Sequence, residues 1–131
     1  MTRVFLLSPA FAGGRRAQII MSDRAQFDLA RRLRSEKPPT LGEVFTFLSG
    51  LYFRGKLAYA NAFAPSRRRR SSVLVITPTR GLVSAASPIG LADLREFAEV
   101  DIHENDPRYR APLERHVRRL AKKLPADAEI I

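Results

Sequence analysis

Two glycines followed by two arginines, at residues 13–16, form the segment of the sequence best suited to hold an anion. An apolar run precedes Gly13-Gly14 and helix-forming residues follow Arg15-Arg16, so a strand-to-helix turn is expected there. Backbone N–H groups at the start of a helix, together with forked hydrogen bonds from arginine, suit a phosphate group. The spacing is neither of the glycine motifs typical of dinucleotide or nucleoside triphosphate sites. The segment is therefore either a phosphate site or an ordinary turn.

A second concentration of positive charge is the run of four arginines Arg67, Arg68, Arg69 and Arg70. Like charges at this density repel one another and stay in contact with water, so a solvated loop is one interpretation. Contact with the phosphate backbone of a nucleic acid is the other, and a targeting or processing role is a third.

Arginines also follow the carboxyl ends of two predicted strands. Residues 72–77 (SVLVIT) contain four consecutive Val, Leu and Ile side chains, which favours a strand buried on both faces, as in a parallel sheet. Ligands of open α/β sheets bind beyond the carboxyl ends of the strands. If this strand lies beside the one that ends at Ser8, then Arg15, Arg16 and Arg80 line one basic crevice.

Residues for acid–base chemistry are less well organised. Ser8, Asp101 and His103 are the candidates for an enzyme, but no nucleophile and base stand at a recognisable spacing. Glu99, Asp101, Glu104 and Asp106 form an acidic patch that reads as a solvated loop, and His116 is interpreted as a packed or surface histidine. We predict no metal ion and no cofactor.

The composition favours an anionic partner. The formal net charge is +10 at pH 7, the sequence pI is about 11.2, and most of the 23 basic residues are arginine. Such a balance is typical of proteins that bind nucleic acid, nucleotides or acidic surfaces, although a GC-rich genome alone also enriches arginine.

The absence of cysteine excludes disulfides and thiol catalysis and fits a reducing compartment. No apolar run approaches the roughly 20 residues of a membrane span, and the run before Pro9 is short for a signal peptide. We therefore predict a cytoplasmic protein without a membrane partner.

The stretch Leu41–Ala64 is predicted to organise the fold as a helix buried on most sides. Its apolar residues recur with helical spacing over a wide arc. Gly50 and Gly55 either permit close packing or break the helix locally. Arg54 and Lys56 place positive charge inside this apolar segment.

The remaining elements predict one α/β domain over residues 1–131 with a small, mostly parallel sheet flanked by helices, possibly a truncated unit. Strands are expected at residues 3–8, 72–77 and 129–131, with a short edge strand at 100–103 and a loop over 78–90. Helices are expected at residues 23–34, 91–99 and 107–124. Asp23 with Gln26, and Thr40 with Glu43, are possible capping boxes.

Three segments resemble an uncharacterised family of bacterial proteins: FLLSPAFAGGRRA, GEVFTFLSGLYFRGKLAYA and VLVITPTRGLVSAASPI. A strand that leads into Ser8-Pro9-Ala10, and a later Gly81-Leu82 turn followed by Pro88, are also distantly similar to the peroxide-stress DNA-binding family. A third point of likeness is the order of Phe47, Gly50, Tyr52, Gly55, Leu57 and Ala58. The resemblance implies a role in the stress response through binding of DNA, without sequence preference, in the cytoplasm.

The leading hypothesis is a nucleic-acid-binding protein that contacts phosphates without reading sequence. The expected contacts are Arg15, Arg16, Arg54, Lys56, Arg67, Arg68, Arg69, Arg70 and Arg80. The alternative is an enzyme that acts on a nucleotide or nucleobase, with phosphate held by Gly13, Gly14, Arg15 and Arg16. A protein with an acidic partner is the third hypothesis.

Overall fold

A computed structural model describes residues 2–64 and 69–131 of the chain, so Arg67 and Arg68 of the predicted arginine run lie outside the described residues. Four strands form one sheet in the order β3-β2-β1-β4. They are β1 (Arg3–Leu7), β2 (Val73–Thr77), β3 (Gly81–Ser84) and β4 (Glu129–Ile130). The helices are α1 (Arg15–Met21), α2 (Asp28–Leu33), α3 (Leu41–Ser49), α4 (Leu51–Phe63), α5 (Arg69–Ser72), α6 (Leu91–Ala98) and α7 (Pro107–Lys123).

The predicted α/β architecture with a mostly parallel sheet is confirmed. Strand β1 lies between β2 and β4 and is parallel to both, with Phe5 opposite Val73 and Arg3 opposite Glu129. Strand β3 is antiparallel to β2 and occupies residues that were expected to be a loop. That expectation was wrong because Gly81, with φ +62°, allows the chain to reverse tightly after β2.

The predicted helix over residues 41–64 is two helices, because the chain breaks at Gly50. Its φ of +70° and ψ of −139° are a conformation that glycine adopts far more readily than other residues. Helix α3 is buried as expected, but most of α4 is exposed to solvent. The Thr40–Glu43 capping box is confirmed: Glu43 N–H donates to Thr40 Oγ1 at 3.2 Å, and Thr40 N–H donates to Glu43 Oε2 at 2.8 Å.

Two of the expected elements differ at their ends or do not form. Helix α2 begins at Asp28 rather than Asp23, with Phe27 as its N-cap, so the predicted Asp23–Gln26 capping box is wrong. Residues 100–103 do not form the predicted edge strand. The expected helices at residues 91–99 and 107–124 are confirmed as α6 and α7, and Asp106 caps α7 by accepting from Arg108 N–H at 2.9 Å.

The core lies on one face of the sheet. Phe5 and Val75, whose side chains point to this face, are buried together with residues of α1, α3 and α6. Phe45 at the centre of α3 is fully buried and meets Phe53 and Phe97 edge to face, at ring-centroid distances of 5.8 and 6.0 Å. Such edge-to-face pairs add to the stabilisation that burial provides.

Helix α7 packs on the opposite face, over β3 and β2. His116 Nδ1 accepts a hydrogen bond from Leu82 N–H at 3.1 Å, so this histidine joins α7 to β3 as the packed residue that was expected. Val117 of α7 is 42% exposed. The helix therefore meets the sheet through His116 and Leu120 rather than through Val117.

Candidate nucleic-acid interface

Acidic residues are absent from one long part of the sequence. No Asp or Glu occurs between Glu43 and Asp93, whereas Arg54, Lys56, the four arginines at 67–70 and Arg80 all lie there. This part contains the whole of α4, α5 and strands β2 and β3. A cation in this segment can find an intramolecular carboxylate only on a distant part of the chain, so the fold decides which of these charges are neutralised.

Arg80 is neutralised. Its Nη2 donates to Asp93 Oδ1 at 2.7 Å, its Nε donates to Glu96 Oε2 at 2.8 Å, and its guanidinium carbon lies 5.4 Å from the centre of the Phe97 ring. The Arg80 N–H donates to the buried Thr77 Oγ1 at 2.9 Å, which fixes the turn that carries it. Strands β1 and β2 are neighbours, as the basic-crevice hypothesis requires, but Arg80 is bound to α6. A phosphate there would compete with two carboxylates.

The Arg80 contacts also change the acidity of their partners. Partial burial alone would raise the pKa of Asp93, but hydrogen bonds from Gly90 N–H and from Arg80 hold that pKa below its usual value. Hydrogen bonds from Thr79 Oγ1 and from Arg80 lower the pKa of Glu96. A carboxyl whose pKa is lower in the folded state stabilises the fold above its unfolded pKa, and this contribution is lost as the pH falls through the folded value.

We therefore expect Glu96→Gln to be less stable than wild type at neutral pH, by up to about 1 kcal/mol since the pair is partly exposed. The difference should shrink as the pH falls from about 5 to about 3, because the unfolded pKa of a glutamate is about 4.3. Urea unfolding across this range measures it. Glu36→Gln, which removes an exposed carboxylate without an ion pair among the described residues, is the control. A difference that stays constant with pH would contradict the ionic role of Glu96.

The predicted glycine–arginine turn has a structural explanation. The Phe11 ring lies over it, and a Cβ added to Gly13 or Gly14 would be 3.0 or 3.2 Å from ring atoms. Arg16 Nη1 donates to the Phe47 carbonyl at 3.0 Å, and its guanidinium lies 5.6 Å from the Phe47 ring centre. Arg15 is exposed and forms no ion pair with any described residue. Arg16 is thus positioned by Phe47, whereas Arg15 projects into solvent, and neither has a carboxylate partner among the described residues.

Helix α4 presents an aromatic stripe to solvent, which we define as Tyr52, Lys56, Tyr59 and Phe63. These positions are spaced by four, three and four residues, so they share one side of the helix. The three rings are 69%, 54% and 55% exposed. Lys56 Nζ lies 5.0 Å from the centre of the Tyr52 ring, and the Tyr59 and Phe63 ring centres are 4.7 Å apart. Arg54, on the neighbouring side, is exposed and has no ion-pair partner among the described residues.

A cavity of about 250 Å³ opens between the aromatic stripe and the sheet edge. Tyr59 meets Phe5 of β1 edge to face at 6.1 Å, which holds its ring at the cavity wall. Lys56 is the one charged side chain among the described residues that line it. The full lining is Phe5, Leu6, Leu7, Lys56, Tyr59, Ala60 and Ile131.

A larger cavity, of about 490 Å³, lies between α3, α4 and the start of β2. Glu43 is the one charged residue among its described lining, and it is already bound to Arg32 at 3.1 Å and to the N-terminus of α3. Burial would raise the pKa of Glu43, but the hydrogen bonds from Thr40 and Arg32 lower it overall. The described residues that line this cavity therefore offer no positive charge to an anionic ligand.

The acid–base candidates are not assembled into a site. None of the hydrogen bonds among the described residues joins Ser8, Asp101 and His103, and His103 Nδ1 accepts from Asn105 N–H at 3.1 Å. Asp106 is committed to capping α7 and to Arg108, with Oδ2 at 2.8 Å from Arg108 Nη2. In the described part of the chain, no three His, Asp or Glu side chains come close enough to hold a metal ion.

The sequence identified Arg54 and Lys56 but missed the aromatic stripe, because the rings of α4 were assigned to the core. The signal that separates the two halves of this segment is charge: cations occur in α4 but not in α3. Of the arginine run, Arg69 and Arg70 are the first residues of α5, and three residues separate the run from the end of α4. The predicted phosphate contacts Arg54, Lys56 and Arg67–Arg70 are therefore close in sequence, whereas Arg80 is held by α6.

No helix among the described residues combines the length and the apolar character that crossing a bilayer requires. Comparisons of the chain with protein-family models, with curated proteins and with solved structures find no match.

Proposed function

We propose that this protein binds nucleic acid through phosphate contacts that are independent of sequence, and that α4 with the arginine run after it forms the interface. The observation that carries the proposal is the outward face of α4, where Arg54 and Lys56 have no carboxylate partner among the described residues. Positive charge without an internal partner releases counterions from a nucleic acid backbone on binding. The resemblance to the peroxide-stress DNA-binding family points to the same class of ligand and to the cytoplasm.

A contrast with five paired arginines supports this location over theirs. Arg3, Arg32, Arg80, Arg108 and Arg110 are each within 3.3 Å of a carboxylate oxygen. Their positive charge is balanced inside the protein, so each would have to exchange one anion for another on binding. The cations of α4 have no such exchange to make, which favours them over these five arginines as phosphate contacts. Arg115 and Lys122 of α7 likewise have no ion pair among the described residues, so the variants below compare the two helices directly.

The test is the affinity for a labelled duplex and a labelled single strand across a salt series, in wild type and in the double variant Arg54→Ser, Lys56→Ser. Each phosphate contact contributes about 0.9 to the slope of log K against log salt for a duplex. Loss of two contacts should flatten the slope by about 1.8 and weaken binding about 10- to 100-fold near 50 mM salt.

A matched control is Arg115→Ser with Lys122→Ser, which removes the same charge from exposed positions on α7. The α4 variant should lose much more affinity than this control if the interface is local. Equal losses would mean that only the net charge matters and would contradict the location. Replacement of Arg67–Arg70 by serine extends the test to the arginine run. Absence of nucleic acid binding by the wild-type protein at low salt would contradict the proposed function.

A further inference from the structure

We propose that the aromatic stripe and the cavity beside it form a stacking platform for unpaired bases, so that the protein prefers single-stranded to duplex nucleic acid. This inference rests on the proposed function and adds the form of nucleic acid that is bound. It assigns to Tyr52, Tyr59 and Phe63 a role that phosphate binding alone does not require.

The exposure of the three rings is the first step of the argument. The inner side of α4, with Phe53 and Ala60, is buried against the core, whereas the rings of the stripe face water. Aromatic side chains left in water give up the stabilisation that their burial would provide. Three such rings on one side of one helix therefore mark a surface that a ligand covers.

The second step is the combination of rings and cations. Proteins that bind single strands without sequence preference pair a basic track for the backbone with aromatic rings on which bases stack. On α4, Lys56 lies between Tyr52 and Tyr59 within the stripe, and Arg54 flanks it. A base that stacks on a ring of the stripe places its own phosphate near these cations.

The third step of the argument is that the cavity discriminates against duplex nucleic acid. Its volume of about 250 Å³ approaches the lower limit of about 300 Å³ for small-molecule sites. Apart from Lys56 and Tyr59, the described residues that line it have apolar side chains, which suits the face of a planar base. Bases in a duplex are stacked on one another and present only their edges, so an unpaired base alone can enter the cavity or stack on the rings.

The experiment compares a labelled oligothymidylate with a labelled duplex of equal length, by fluorescence anisotropy across a salt series. The test variant is Tyr52→Leu with Phe63→Leu, which keeps apolar bulk and all charges but removes two rings. Tyr59 is left intact because its ring also packs on Phe5. Leu51→Ala, at an 83% exposed position of the same helix outside the stripe, is the control.

Wild type is expected to bind the single strand more tightly than the duplex. The ring variant should bind the single strand about 5- to 150-fold more weakly for each stack that is lost, as base–aromatic stacking energies imply. Its salt slope and its duplex affinity should be unchanged, because no charge is removed. The control should behave as wild type, and thermal melting verifies that all three proteins are folded.

Equal losses for duplex and single strand, or no loss for either, would overturn this inference while the proposed phosphate interface stands. Absence of any nucleic acid binding at low salt would contradict both this inference and the proposed function. Binding of wild type to anionic phospholipid vesicles, abolished in the ring variant and accompanied by unchanged oligothymidylate affinity, would assign the stripe to a membrane surface and likewise overturn the inference.

Discussion

Replacement of Phe45 by alanine is expected to lower the free energy of unfolding by about 3–5 kcal/mol. The side chain is fully buried, and its ring is the contact that Phe53 of α4 and Phe97 of α6 share. Alanine would leave a cavity among three helices and remove both edge-to-face pairs. Since whole domains are stable by only about 5–15 kcal/mol, the loss is a large part of the total. Urea unfolding followed by circular dichroism measures it.

Phe45→Leu keeps the experiment quantitative if the alanine variant does not fold, because it retains most of the buried volume and should cost less. Leu51→Ala, which truncates an exposed side chain, should change stability by no more than about 0.5 kcal/mol. A Phe45→Ala protein with wild-type stability would contradict the position of this ring at the meeting point of α3, α4 and α6.

Gly81→Ala should destabilise the protein by about 2–4 kcal/mol, through two separate effects. The residue has φ +62°, which disfavours any side chain, and α7 passes directly over it. A Cβ at this position would lie 2.7 Å from the Pro112 carbonyl oxygen and 2.6 Å from His116 Nδ1. Helix α7 would have to move away, which would also lengthen the hydrogen bond from Leu82 N–H to His116. The thermal midpoint is expected to fall by roughly 10 °C.

Gly55→Ala is the matched control, because Gly55 is an exposed glycine inside α4 with open space around it. Alanine is favoured over glycine inside a helix by about 0.5–1 kcal/mol, so this variant should be more stable than wild type. The same substitution is thus expected to have opposite effects at the two sites. A harmless Gly81→Ala would contradict both the positive φ of residue 81 and the close approach of α7 to the β2–β3 turn.

Local signals in the sequence were sufficient to predict several of the helices and strands. The consecutive Val, Leu and Ile residues of β2 indicate a strand that is covered on both faces. The Thr40–Glu43 and Asp106-Pro107 patterns identify helix starts through backbone groups that must be satisfied nearby. In contrast, Gly81–Ser84 carries too weak a strand pattern, and it becomes β3 only because β2 offers it a partner. Residues 100–103 have a similar pattern without such a partner.

The candidate interface was accessible from the sequence only in part. Arg54 and Lys56 could be identified because charge inside an apolar segment is conspicuous. The exposure of Tyr52 and Phe63 could not, because helical periodicity shows that residues share a side but not whether that side meets the core or water. The ion pairs of Arg80 were equally inaccessible, since its carboxylate partners lie on α6 and only the folded chain brings Asp93 and Glu96 to it.

The position of β1 in the sheet has a consequence for how the chain folds. Strand β1 is formed by residues 3–7, yet its neighbours are residues 73–77 on one side and 129–130 on the other. Pairings between segments so far apart in sequence require large loops to close, which slows folding. During synthesis the apolar β1 segment has no pairing partner until β2 emerges. Its other edge, which pairs with β4, stays unpaired until residue 130 has left the ribosome. We therefore expect β1 to be the segment most exposed to aggregation until both of its neighbouring strands are available for pairing.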